Sequence, residues 1–158
     1  MRLINLVSET YVSLYFSKVT NQKLNSIIKN YLVPHAVSPD NLHISLFTTN
    51  QIIKIPKKTY DINIEIYDMK NFTVMTWYSN KRQFPDKRLL VVEFTSFQLI
   101  KFRNLIINIL GISLSSISPL SNKFHITLSY NIGDRFFYPI TKDIINPFTL
   151  EINKLKLS

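Results

Sequence analysis

The chain has 158 residues, with 19 Lys and Arg against 10 Asp and Glu and a formal charge of +9. That length holds one domain with its own core, and the charge points to an anionic partner. The absence of cysteine excludes disulfides, thiol nucleophiles and Cys-ligated zinc or iron–sulfur sites together.

Residues 9–16 alternate and are rich in β-formers, which predicts a strand. Thr20 is the expected cap of a helix to about Tyr31, in which Leu24, Ile27, Ile28 and Tyr31 share one face. Pro34 and Pro39 punctuate a loop containing His35, expected at the surface, and residues 42–47 form a second strand. Two further strands are expected at 60–67 and 72–78, with a turn at 68–71. A polar segment, 79–88, holds Lys81, Arg82, Lys87 and Arg88. The strand 89–94 follows, then a helix from a Ser96 cap to Leu110, with Gly111 just past its end. Leu99, Phe102, Ile106 and Ile109 are its expected buried side. Strands at 123–129 and 148–157 close the chain, separated by a segment with aromatic residues from Tyr130 to Tyr138.

No membrane span or signal core is expected. Ser8 and Glu9 interrupt the N-terminus early, and the longest uncharged run, 105–122, contains Asn108, Gly111, five serines and Pro119. A soluble, cytoplasmic protein is the resulting expectation.

Strand, helix, loop and His-bearing strand occur twice. Val12 to His43 spans 31 positions and Leu90 to His125 spans 35. This predicts an α+β fold of two β-α-β halves related by a pseudo-twofold, forming a single domain.

The second strand of each half opens with the same pattern, His43-Ile44-Ser45-Leu46 and His125-Ile126-Thr127-Leu128. Strand alternation puts each His and its hydroxyl partner on one face and the aliphatic residues on the other. Two such matches among three histidines have random odds on the order of 10⁻³. Two imidazoles and two hydroxyls suit phosphodiester chemistry without a metal. One His deprotonates an attacking hydroxyl, the other protonates the leaving oxygen, and the hydroxyls grip the nonbridging oxygens. No metal-ligand spacing occurs, so neither metal nor cofactor is expected.

At these residues the chain resembles the 2H phosphoesterase superfamily, marked by two His-Φ-Ser/Thr-Φ motifs. The resemblance implies a bilobal, pseudo-symmetric α+β fold with antiparallel sheets around a central cleft. It also implies His43 and His125 as the acid–base pair, with Ser45 and Thr127 holding phosphate. A narrower likeness, carried by Tyr11-Val12-Ser13-Leu14-Tyr15-Phe16-Ser17 and His125-Ile126-Thr127-Leu128-Ser129-Tyr130, is to the phage anti-CBASS phosphodiesterases. These destroy cyclic-oligonucleotide alarm signals, which implies such a substrate in an infected host's cytoplasm. Phe124 stands where that pattern often has proline.

Tyr11 and Trp77 are the candidates for stacking on nucleobases, and Glu151 for accepting hydrogen bonds from a base edge. Glu151 also reads as an exposed carboxylate on an edge strand. RNA-end processing and 2′–5′ oligoadenylate cleavage remain alternatives with the same central chemistry, as does a nonenzymatic nucleotide-binding domain. Long nucleic acid, a membrane and a stable protein partner are not expected.

Overall fold

A computed structural model describes residues 9–78, 88–119, 121–133 and 149–158. In β1 (Thr10–Phe16) the alternation holds: Val12, Leu14 and Phe16 are buried, while Tyr11, Ser13 and Tyr15 take the other face. α1 is Lys18–Asn30 and buries Leu24 and Ile28. β2 (His43–Thr49), β3 (Thr59–Ile66), β4 (Lys70–Tyr78) and β5 (Arg88–Thr95) precede α2 (Phe97–Leu110). A two-residue β6 (Ile117–Ser118), β7 (Lys123–Ser129) and β8 (Leu150–Leu157) complete the order.

Each half has the predicted β-α-β succession, β1-α1-β2 and β5-α2-β7. The two halves share one sheet, where separate sheets were expected. All pairings are antiparallel, in the order β3-β8-β1-β2-β7-β5-β4, with β6 on β2. The join is β2 against β7. About it, β1 corresponds to β5 and β8 to β4, leaving β3 and β6 outside the pseudo-symmetry. Its position between β1 and β3 makes β8 an interior strand, so the edge-strand reading of Glu151 does not hold.

The helices start alike. Ser17 caps α1, its Oγ accepting from the Thr20 amide and donating to Glu151 Oε2 at 2.9 Å. Ser96 caps α2 in the same way, accepting from the Leu99 amide and donating to Asp68. Both caps thus place a carboxylate at the positive end of a helix. The predicted cap Thr20 lies instead in the first turn, buried, its Oγ1 accepting from the Glu151 amide. Gly111 ends α2 in the left-handed conformation, φ 64°, which a side chain disfavours.

One apolar core lies under the helix-bearing face and draws on both halves. Leu24 of α1 lines a void of about 10 Å³ with Leu150 of its own half and Phe72, Val92, Phe94, Ile126 and Leu128 of the other, so the core is continuous between the halves. On α2, Ile106 and Ile109 line a groove with Tyr60 and Ile62 of β3 and Leu155 of β8. The buried face of α2 is turned from the predicted one: Leu99, Arg103 and Ile107 are buried, and Ile109 is exposed. Arg103 lies over the Phe124 ring at 5.4 Å and donates to the Ser121 carbonyl at 2.7 Å, so its aliphatic stem fills a core position. Burial lowers its pKa.

The loop before β2 is tied to the second half. Val37 donates its amide to the Leu128 carbonyl, Ala36 bridges Ser129, and Ser129 Oγ donates to the Pro34 carbonyl at 2.6 Å. His35 in this loop is exposed, as predicted.

Candidate active site

β2 and β7 meet at one cross-strand pair, Ile44 opposite Ile126, and both isoleucines are buried. In antiparallel strands their neighbours take the opposite face and oppose one another in turn: His43 with Thr127, Ser45 with His125. The two motifs therefore form one patch on the face away from the helices. His43, His125 and Thr127 are half-buried and Ser45 is exposed.

Neighbouring registers extend the patch into two rows. One runs Lys154, Tyr15, His43, Thr127 and Val91; the other runs Lys156, Ser13, Ser45, His125 and Glu93. The pseudo-twofold is kept to the level of a bulge. β1 and β2 slip between Val12 and Ser13, leaving Leu46 unpaired, and β5 and β7 slip between Leu90 and Val91, leaving Leu128 unpaired. Both leucines are the fourth residue of their motif, and both are buried with the residue that follows, Phe47 and Ser129. Each bulge ends the in–out alternation just past the hydroxyl residue, which fixes where the polar patch stops.

The two histidines have different surroundings. His43 Nδ1 lies 2.9 Å from the Asn41 carbonyl oxygen, a partner that only accepts. Nδ1 therefore carries a hydrogen, and Nε2 is the nitrogen left for a ligand. A 3₁₀ turn at Pro39–Asn41, with Asn41 Nδ2 donating to Ser38 Oγ, holds that carbonyl in place. The Tyr15 ring lies against the imidazole, centroids 5.3 Å apart. His125 has Glu93 as its cross-strand neighbour instead, and Glu93 also pairs with Lys123 at 3.6 Å. Burial, then the charge of His43, pushes the His125 pKa below its ordinary value of 6.5, while Glu93 opposes the shift.

The Ser45 and Thr127 hydroxyls form no hydrogen bond among the described residues. Thr49, Ser96, Ser116 and Ser129 all bond to neighbours. The motif hydroxyls do not serve as local backbone caps. They stand beside the imidazoles with their donors open.

Tyr11 lies on this same face of β1, exposed, its hydroxyl donating to Glu9 at 3.1 Å, which raises its pKa. Glu151 is half-buried at the start of α1, bound to Ser17. Trp77 pairs with Leu89 at the end of β4, and its side chain lies outside the described residues. Lys81, Arg82 and Lys87 lie outside them too, as does the aromatic segment from 134 onward. Arg88 is described and donates to the Gly133 carbonyl. Sequence reasoning missed Tyr15, Glu93 and Asn41 as neighbours of the histidines. Two had a signal: Tyr15 shares the parity of Tyr11 and Ser13, and Glu93 is the lone acid in an apolar strand.

Among the described residues no three His, Asp or Glu side chains gather as a metal site requires. No helix among them is long and apolar enough to cross a membrane.

Fold and site together define a class: a pseudo-symmetric α+β protein that presents two imidazoles and two hydroxyls on the open face of one sheet. The model of the family described as Anti-CBASS protein Acb1 matches residues 8–154, and the chain belongs to that family. Antagonism of CBASS is the role that this membership assigns. None of the curated proteins compared with the chain matches it.

Proposed function

We propose that the protein antagonises CBASS as a phosphodiesterase of the 2H type, opening 3′–5′ linkages of cyclic oligonucleotides in the cytoplasm of an infected host. The observation that carries this reading is the Ile44–Ile126 register, which sets two imidazoles and two unbonded hydroxyls in one patch. Family membership supplies the biological setting.

The chemistry follows from the groups present. His125, kept largely proton-free at neutral pH, removes the proton from the ribose 2′-hydroxyl as that oxygen attacks phosphorus. Glu93 on the next strand offsets the positive charge that His125 acquires. Ser45 and Thr127 donate to the nonbridging oxygens, where negative charge builds in the transition state. Protonated His43, its Nδ1–H held by Asn41, gives its Nε2 proton to the departing 5′-oxygen. The P–O5′ bond breaks and a 2′,3′-cyclic phosphate forms. Water then opens that ring with the two histidines exchanging roles. Nothing in this sequence of steps calls for a metal or cofactor.

Replacing His43 or His125 by Ala is expected to lower turnover of a cyclic dinucleotide by about 10²–10⁴-fold with the fold intact by circular dichroism. Product mass identifies the 2′,3′-cyclic phosphate. Full activity in both single variants sinks the mechanism, and loss of activity in EDTA removes its metal-free character. Running linear RNA ends and 2′–5′ oligoadenylates beside the cyclic substrates separates this reading from its nearest rivals.

A further inference from the structure

Beside His43 the open face continues into a concavity of about 520 Å³ that takes in Tyr15 and Asn41, the two residues already touching the imidazole. Its remaining wall is basic. Lys18 comes from the first turn of α1, and Lys154 and Lys156 from β8, against one carboxylate, Asp40. Lys154 is engaged with Asp61, whereas Lys18 and Lys156 form no ion pair among the described residues. Asn21 in the same wall is 7% exposed and turned inward, its Nδ2 donating to the Phe16 carbonyl. Two cations with no ion pair among the described residues, in a hollow of ligand size, are what a phosphate needs.

Its place relative to the histidines indicates which one. Lys154 stands two strands from His43 through Tyr15, and Lys156 two strands from Ser45 through Ser13. At about 4.8 Å per strand that is roughly 10 Å across the sheet, beyond the phosphodiester held between the motifs. We propose that this concavity is a second subsite, in which Lys18 and Lys156 bind the next phosphate of the same oligonucleotide and so favour substrates with more than one phosphodiester. The subsite rests on the phosphodiesterase reading for its purpose, but it is testable by binding alone.

The ligands are cyclic di-AMP and the linear dinucleoside monophosphate ApA, which share bases and differ by one phosphate. Their affinities are measured by calorimetry on protein carrying His43→Ala, with and without Lys18→Gln and Lys156→Gln. Lys101→Gln on α2, which removes the same charge away from the concavity, sets the baseline for general electrostatic attraction. Each subsite variant is expected to weaken cyclic di-AMP about ten-fold more than ApA, the scale of one charge-assisted contact. In the His43-intact protein the same selective loss is expected in KM, with kcat retained. Equal weakening of both ligands, a change no larger than that of Lys101→Gln, or no binding of a cyclic dinucleotide of either purine overturns the subsite. Selective weakening in a protein that turns over no phosphodiester supports the subsite and overturns the catalytic reading instead.

Discussion

At the scale of single residues, the two histidines are related by symmetry but not by environment. His43 has an aromatic ring and a backbone carbonyl; His125 has a carboxylate across the strand. Glu93 raises the His125 pKa against the larger lowering by burial and by His43. Glu93→Gln removes the raising influence, so the pKa falls further. In the proposed reaction His125 acts without its proton, so the acid limb of the pH dependence of kcat/KM is expected below 6.5 in the parent protein. It moves to still lower pH in the variant, which retains more of its activity in mildly acidic buffer. A limb that stays put or moves upward separates Glu93 from His125. A structural role for Glu93 alone would change stability without moving that limb. The motifs were legible in the sequence because a strand separates polar from apolar residues at every second position. For Glu93 and Tyr15 local pattern hinted at the face alone, because which histidine each adjoins depends on a cross-strand register that no local pattern specifies.

At the scale of elements, the repeat extends beyond the motifs to the helix starts. Ser17 and Ser96 each close the first turn and each hold a carboxylate from a distant segment, Glu151 and Asp68. Either serine replaced by Ala is expected to lower stability by about 1 kcal/mol, read as the urea midpoint at constant slope. A loss near zero for Ser17→Ala would remove Glu151 from any capping role. Sequence periodicity found both helices and most strands. It misjudged the cap of α1 because Thr20 and Ser17 are equally good candidates, and the choice rests on Glu151, 134 residues away from Ser17. It misjudged the buried face of α2 because Arg103 reads as polar, although its stem packs against Phe124. Neither fact is encoded within one turn of helix.

At the scale of the whole molecule, the two halves behave as one body. A single core spans them, Leu24 of α1 lines a void with side chains of the second half, and the loop at 34–37 is bonded to β7. Unfolding by urea is therefore expected to be one transition, coincident by far-UV circular dichroism and Trp77 fluorescence. Ile44→Ala, at the centre of the join, should lower stability by about 2–5 kcal/mol and leave that transition single. Two separated transitions would show that the halves fold apart. The β-α-β repeat predicted two halves, but not that one antiparallel sheet runs through both. That depends on the edges of β2 and β7, which look like any other strand edges in sequence.

The near-symmetry at Ile44 and Ile126 has a consequence for how a ligand is oriented. A ring of two identical nucleotides has a twofold of its own, so on the proposed reading turning it end over end changes none of its contacts with the patch. A ring of two unlike nucleotides meets Tyr15 at one end and Glu93 at the other. On the proposed reading those two residues, with the lysines of the concavity on the Tyr15 side, favour one of its bonds over the other for cutting.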